Sequence, residues 1–331
     1  MIFWVSTKNQ NSGLYYYSKK LFENLNFEGL KWIDGQEVLE YKEYPIIYNL
    51  GNHKINSENY KLAYDYPSYV LLHDLNLHYA ALSLNDKKYF ECEEKVYTIR
   101  NNGIWIDNLE LYTPAIYEIL KRQKGIFVHS FYAIEILKMW KIEVPVYYIP
   151  MGTETFKNEF EKIPYSLGIF GYRGINRNLK ETAKLILNLK NIYPDMQLII
   201  CGGGTKEGLE ELTFAEYYEN LSSNEFYELL SKVEILFNFR YPVYGETSLS
   251  TLEAMARGVV PVLSHFGSYN EFKGAILIGK IEEAFYNIKK IFDCPLMLKK
   301  ISKEAMDFVS NKHSIDIWLN KMKEILCGLK K

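Results

Sequence analysis

Cysteine is scarce in this 331-residue chain, and the four that occur (Cys92, Cys201, Cys294, Cys327) stand far apart. No C-x-x-C pair exists, so a zinc knuckle is not expected, and a reducing cytosol is the simpler setting. Asp-x-Asp is missing altogether, and with it the short acidic pair that commonly holds a divalent cation. No apolar run approaches the roughly 18 residues of a membrane span. Met1–Ser6 is too short an apolar run for a signal peptide and reads as a first strand. Net charge is also lacking: a formal value of −2 supplies no global field for holding nucleic acid. Apolar residues are plentiful. A hydrophobic share of 48% supports real cores, and the length suggests about two domains.

Short apolar strands alternate with amphipathic helices. Ile2–Ser6, Ile46–Leu50, Tyr69–Leu72, Ile126–Val128 and Val146–Ile149 read as buried strands, with a helix at Tyr15–Leu25. The pattern pauses at Pro150-Met151-Gly152. A second set follows, with strands at Leu167–Phe170, Gln197–Cys201, Ile235–Phe239 and Val259–Leu263. Helices are read at Leu179–Leu189 and Asn224–Lys232, and a last one at about Ser314–Leu326. Such alternation predicts parallel sheets covered by helices, here two α/β units in tandem. The expected domains are 1–150 and 151–312, with 313–331 as a terminal helix.

The densest segment is FRYPVYGETSLSTLEAMARGVVPVLS, from Phe239 to Ser264. Arg240 precedes a Pro-containing turn. Gly245-Glu246-Thr247-Ser248 reads as a helix start, with Thr247 or Ser248 as N-cap. Leu249, Leu252 and Ala256 recur at helical spacing. Glu253 falls about 40° from Leu249, beside that apolar face. A helix N-terminus lined with hydroxyls suits a phosphate, because its N–H groups are unpaired and its dipole is positive there. Ser250-x-x-Glu253 is equally a capping box, which needs no ligand.

The whole segment resembles the nucleotide-sugar motif of GT-B retaining glycosyltransferases, in particular the large family 4-like group (glycosyl transferases group 1). Glu253-Ala254-Met255-Ala256-Arg257-Gly258 and Pro261-Val262 match the second half of that family's Glu-x7-Glu motif, with one extra residue before the Pro. The first half departs: Gly245 stands eight residues before Glu253, and Glu246 is one residue late. It is similar to a branch with Arg-Tyr-Pro-x-x-Gly-Glu-x-Ser at this point. Tyr48 to Asn52, Pro67 to His78 with its Leu-His-Asp-x-x-Leu-His run, Val128-His129-Ser130 and Val146 to Gly152 look like the first domain of the same family. Gly171 with Arg177 six residues on resembles the second domain's first strand and its basic residue.

The resemblance implies an α/β fold of two Rossmann-like domains facing a cleft (GT-B), with the terminal helix crossing back to the first domain. It implies a retaining, metal-independent transferase moving a sugar from a nucleoside-diphosphate sugar to a hydroxyl of a glycan, lipid-linked or small-molecule acceptor. Glu253 takes the ribose-binding role, and Glu246 that of the first Glu. Thr247 and Ser248 complete a phosphate cradle beside Gly245 and Arg240. Loss of the diphosphate leaving group develops negative charge, which must be stabilised. Arg177 is the leading cation for it, with Arg173 second. An Arg can grip phosphate oxygens bidentately, although the family's usual pair is an Arg and a Lys five apart. His73, at a strand end, could donate to the phosphate or sugar, and Asp74 could orient it or contact the acceptor. Gly13, after the first strand, lets backbone approach the ligands. No cofactor or metal is implied. Glu253→Ala and Arg177→Ala are each predicted to weaken donor use severely while leaving the fold intact.

Other features read more simply. Gly202-Gly203-Gly204 fails the G-x-G-x-x-G spacing, because Gly208 is one residue late, and reads as a loop facing the donor. Tyr217–Leu221 could border the base. Glu91-Cys92-Glu93-Glu94 reads as a solvated face, and His78 as a packing residue. Lys121-Arg122-Gln123-Lys124 and Lys138-Met139-Trp140-Lys141 read first as solvated helix faces. Such patches rest on anionic membranes in some relatives, so a cytoplasmic protein with peripheral contact at the inner membrane face stays open. A non-catalytic GT-B homologue that binds nucleotide or glycan and supports a partner enzyme is the alternative function.

Overall fold

The computed structural model describes residues 1–9, 12–90, 115–157 and 160–330. Two compact units divide the chain: the first takes Met1–Gly152, Tyr244–Thr247 and Ile315–Lys331, the second Thr153–Val243 and Ser248–Ser314.

The first unit carries a six-stranded sheet of β1 (Ile2–Val5), β2 (Leu30–Trp32), β3 (Ile46–Leu50), β4 (Tyr69–Leu72), β5 (Gly125–Val128) and β6 (Val146–Tyr148), in the order β2-β1-β3-β4-β5-β6. Every pairing is parallel. The residues of β1, β3 and β5 are buried throughout, as expected of strands covered on both faces. Phe3, Val5, Tyr48, Leu50, Val70, Leu72, Ile126 and Val128 form one apolar cluster. The helix Ile315–Leu329 packs against the helix Gly13–Leu25, and its Trp318 is fully buried edge-on to Trp4, ring centroids 6.5 Å apart. The terminal helix thus returns to the first unit, and removing such an aromatic costs about 3–5 kcal/mol.

The second unit repeats the plan with β7 (Ser166–Phe170), β8 (Gln197–Cys201), β9 (Glu216–Tyr218), β10 (Ile235–Asn238), β11 (Val260–Ser264) and β12 (Ile276–Ile278), in the order β12-β11-β10-β7-β8-β9. All pairings are again parallel. Leu167, Ile169, Leu198, Ile200, Ile235, Phe237, Val260 and Val262 pack with Ile186, Leu189 and Ile288 from the helices Leu179–Ile192 and Ile281–Phe292.

Candidate functional site

In the second unit, β7 runs on to β8 on one side while β10 lies on its other side. The strand order reverses there, and ligands of open α/β sheets gather beyond the carboxyl ends at such a point. Gly171 leaves β7 with φ +92°, which turns the loop at once. The loop leads to Arg177, which is buried. Its Nη2 donates to the Phe170 carbonyl at 3.0 Å, its Nε to that of Tyr172 at 3.2 Å, and its Nη1 to Asn238 Oδ1. Arg240 Nε donates to the same Oδ1 at 3.2 Å. On the other side of the amide, Asn238 Nδ2 donates to Ser248 Oγ at 3.2 Å and Thr251 Oγ1 at 2.8 Å. One buried amide therefore joins two guanidinium groups to the hydroxyl-lined start of the helix Leu249–Ala256.

Ser248 is the N-cap of that helix, accepting from the Thr251 N–H at 3.4 Å. Glu253 is not part of a capping box at Ser250: it lies in the helix interior, and its Oε1 accepts from the Tyr227 hydroxyl at 2.6 Å. Burial first, and then the Glu253 carboxylate, hold the Tyr227 phenol well above its ordinary value, so it remains a donor. Arg257 closes the group. Its guanidinium lies 4.3 Å from the Tyr227 ring and 4.7 Å from that of Phe156, and its Nη1 donates to the Glu253 carbonyl at 2.9 Å.

Arg173 is held quite differently from Arg177. Its Nε donates to the Thr205 carbonyl at 2.9 Å, its Nη1 to that of Gly202, and its Nη2 to Glu219 at 3.0 Å. Arg177 thus donates to two carbonyls and an amide, whereas one donation of Arg173 goes to the Glu219 carboxylate, which Lys206 also meets at 3.3 Å. The Gly202–Gly204 loop lies against this arginine's backbone. Gly204 has φ +110°, and a Cβ there would overlap the Arg173 carbonyl. Gly204→Ala is therefore expected to lower the unfolding free energy by about 3 kcal/mol or more, through the φ penalty and the forced backbone shift. Urea denaturation checks it, and a wild-type midpoint would refute the close approach.

In the first unit, His73 follows β4 and His129 follows β5. His129 Nδ1 lies 2.9 Å from the Ile149 carbonyl, and its Nε2 lies 3.1 Å from His73 Nδ1. Tyr17 meets both rings edge-on, and its hydroxyl accepts from the Gly152 N–H at 3.0 Å. His73 Nε2 is buried and has no hydrogen-bond partner. Burial, and then His129, hold His73 well below the ordinary imidazole value of 6.5. The unfolded chain therefore binds a proton near pH 6.5 that the folded protein refuses. Stability is expected to fall as pH drops from about 7.5 to 5.5, and His73→Gln to remove part of that slope. Equal slopes for the two proteins would refute it.

Asp74 Oδ2 accepts from the Asn52 N–H at 2.8 Å, joining the loops after β3 and β4. Gly13 opens its helix in open space, where an added Cβ meets nothing within 4 Å. Leu75 N donates to the Tyr244 carbonyl at 2.8 Å. At Gly245, φ is +79° and a Cβ would come 2.5 Å from Leu75 Cδ1, so only glycine fits. Glu246 Oε2 accepts from the Tyr244 N–H at 2.7 Å, and Glu246 and Thr247 are both buried. The residues singled out in the sequence thus group as Gly13, His73, Asp74, Gly245, Glu246 and Thr247 in the first unit, and Arg173, Arg177, Arg240, Ser248 and Glu253 in the second.

Asn238 and Tyr227 were not anticipated. An amide ending an otherwise apolar strand was the available signal for Asn238. Among the described residues no group of three His, Cys, Asp or Glu is placed to hold a metal, and no helix is long and apolar enough to cross a membrane. The acidic run Glu91–Glu94 lies outside the described residues. In the basic segments, Lys121 pairs with Glu118, Lys138 pairs with Glu135, and Trp140 is buried.

No family model matches the chain, and no curated protein matches it. Solved structures do. Sucrose-phosphate synthase from Thermosynechococcus elongatus superimposes with a TM-score of 0.68 at 13% identity, covering 99% of this chain and 98% of that one. HepE from Anabaena, solved with UDP and glucose, gives 0.68 at 12% identity, over 98% and 99%. An α-glucosyltransferase solved with UDP-glucose and DNA containing an abasic site gives 0.60 at 13%, over 100% and 99%. Identities this low speak to architecture, and with the two parallel sheets and the returning terminal helix they establish that this chain has the GT-B fold.

Proposed function

We propose that this protein is a retaining, metal-independent glycosyltransferase of the family 4-like group. It moves a sugar from a nucleoside-diphosphate sugar to a hydroxyl of a glycan, lipid-linked or small-molecule acceptor. The observation that carries the reading is Asn238, which gathers Arg177 and Arg240 beneath the N-terminus of the helix Leu249–Ala256. Two positive charges and a helix dipole then converge where a diphosphate would develop charge. Glu253, oriented by Tyr227, supplies a carboxylate for the ribose hydroxyls. HepE, which shares the fold, was solved with UDP and glucose, and that supports a nucleotide sugar as ligand. Arg173 is assigned a bracing role for the glycine loop, since Glu219 meets its charge. In the reaction, the leaving phosphate takes the proton of the incoming hydroxyl on the same face of the sugar. An inverted product by NMR would refute this.

The test is a thermal-shift panel of UDP, GDP, ADP and CMP, with and without attached sugars, in EDTA. One diphosphate is expected to raise the midpoint selectively, since ligand at a hundredfold excess over Kd stabilises by about 2.7 kcal/mol. A rise that requires added divalent cation would overturn metal independence. A second reading is favoured by one observation: every guanidinium nitrogen of Arg173 and Arg177 already donates within the protein. A non-catalytic homologue would bind nucleotide yet neither hydrolyse nor transfer the sugar.

A further inference from the structure

The two histidines of the first unit form a chain with one direction. Ile149 offers a carbonyl, which can only accept, so His129 Nδ1 must carry a hydrogen to satisfy the 2.9 Å contact. In a neutral imidazole the other nitrogen is then a bare acceptor. The 3.1 Å contact between His129 Nε2 and His73 Nδ1 consequently requires the hydrogen to sit on His73 Nδ1. His73 Nε2 is left as a lone pair, buried and without a partner. Free histidine prefers the opposite tautomer, with hydrogen on Nε2, so the arrangement is imposed from outside the ring. Among the described residues His129 Nε2 is the group that meets His73 Nδ1, and the edge-on ring of Tyr17 limits how far either imidazole can turn.

We infer that His129 is a positioning residue that locks His73 in the Nδ1–H tautomer, so that the strand-end His73 holds Nε2 as a bare hydrogen-bond acceptor. The sequence alone suggested His73 as a donor to phosphate or sugar; the neutral pair has no hydrogen at Nε2 to give.

Nitrogen-15 NMR of the histidine-labelled protein tests it. Long-range correlations are expected to report a protonated Nδ1 and a bare Nε2 for His73. His129→Gln should keep that pattern, because its amide can donate to Ile149 and accept from His73. His129→Leu should lose it, with His73 moving toward the Nε2–H form. A wild-type Nε2–H tautomer, or an unchanged pattern in His129→Leu, overturns the positioning role. Folding of each variant is checked by the dispersion of its amide spectrum.

Discussion

Arg177→Ala is expected to lower the stability of the protein by about 3 kcal/mol, with a fall in thermal midpoint of roughly 6–12 °C. The side chain is buried and supplies donors to the carbonyls of Phe170 and Tyr172 and to Asn238. Alanine would strand those acceptors, at about 1–3 kcal/mol for each one left unpaired, less what entering water recovers. The sequence suggested that this substitution would spare the fold; the buried network argues that it does not. Arg177→Lys separates the two roles. It retains the charge beneath the helix N-terminus but reaches fewer acceptors. Its stability should fall between those of wild type and alanine, while its response to nucleotide stays closer to wild type. A wild-type midpoint for Arg177→Ala in urea and in heat would show that the network contributes nothing.

Glu253→Ala is expected to weaken binding of the stabilising nucleotide about 10- to 100-fold. Hydrogen bonds to a charged group contribute about 1.5–3 kcal/mol, and 1.4 kcal/mol is tenfold in Kd. The Tyr227 hydroxyl that donates to this carboxylate would lose its acceptor, which is expected to cost stability about 1 kcal/mol or more. Tyr227→Phe should reproduce part of the binding loss by letting the carboxylate turn. Combined with Glu253→Ala it should add little, because both changes break the same contact. Calorimetric titration with the nucleotide found in the EDTA panel reads all three variants. Unaltered affinity in Glu253→Ala would remove the carboxylate from the site.

Much of the fold was legible because the strands that build it are buried on both faces. Ile46–Leu50, Tyr69–Leu72 and Gln197–Cys201 form strands with the bounds read from their apolar runs. The short outer strands Leu30–Trp32 and Glu216–Tyr218 were missed. Each has one exposed and two half-buried residues, and they lack the continuous apolar run that marks a covered strand. At the site, the start of the helix at Leu249 was legible because a hydroxyl cap is a local device. The partners were not. Tyr227 reaches Glu253 from 26 residues away, and His129 reaches His73 from 56. No spacing rule spans such distances, since the sheet order and not the chain brings them together. The sequence ranked Arg177 before Arg173 but gave no sign of how each is held. Their difference lies in Glu219 and Asn238, which β9 and β10 deliver.

The helix Ile315–Leu329 also sets an order of manufacture. Trp318 completes the core around Trp4, a residue made long before it. Domains of a nascent chain generally mature in the order of synthesis. Here the earlier half must wait with Trp4 uncovered while the roughly 160 residues between Gly152 and Ile315 are translated, about 8–30 s at the usual rates of elongation. The second unit, whose pieces all lie between Thr153 and Ser314, can close during that interval. The half that leaves the ribosome first is thus finished last.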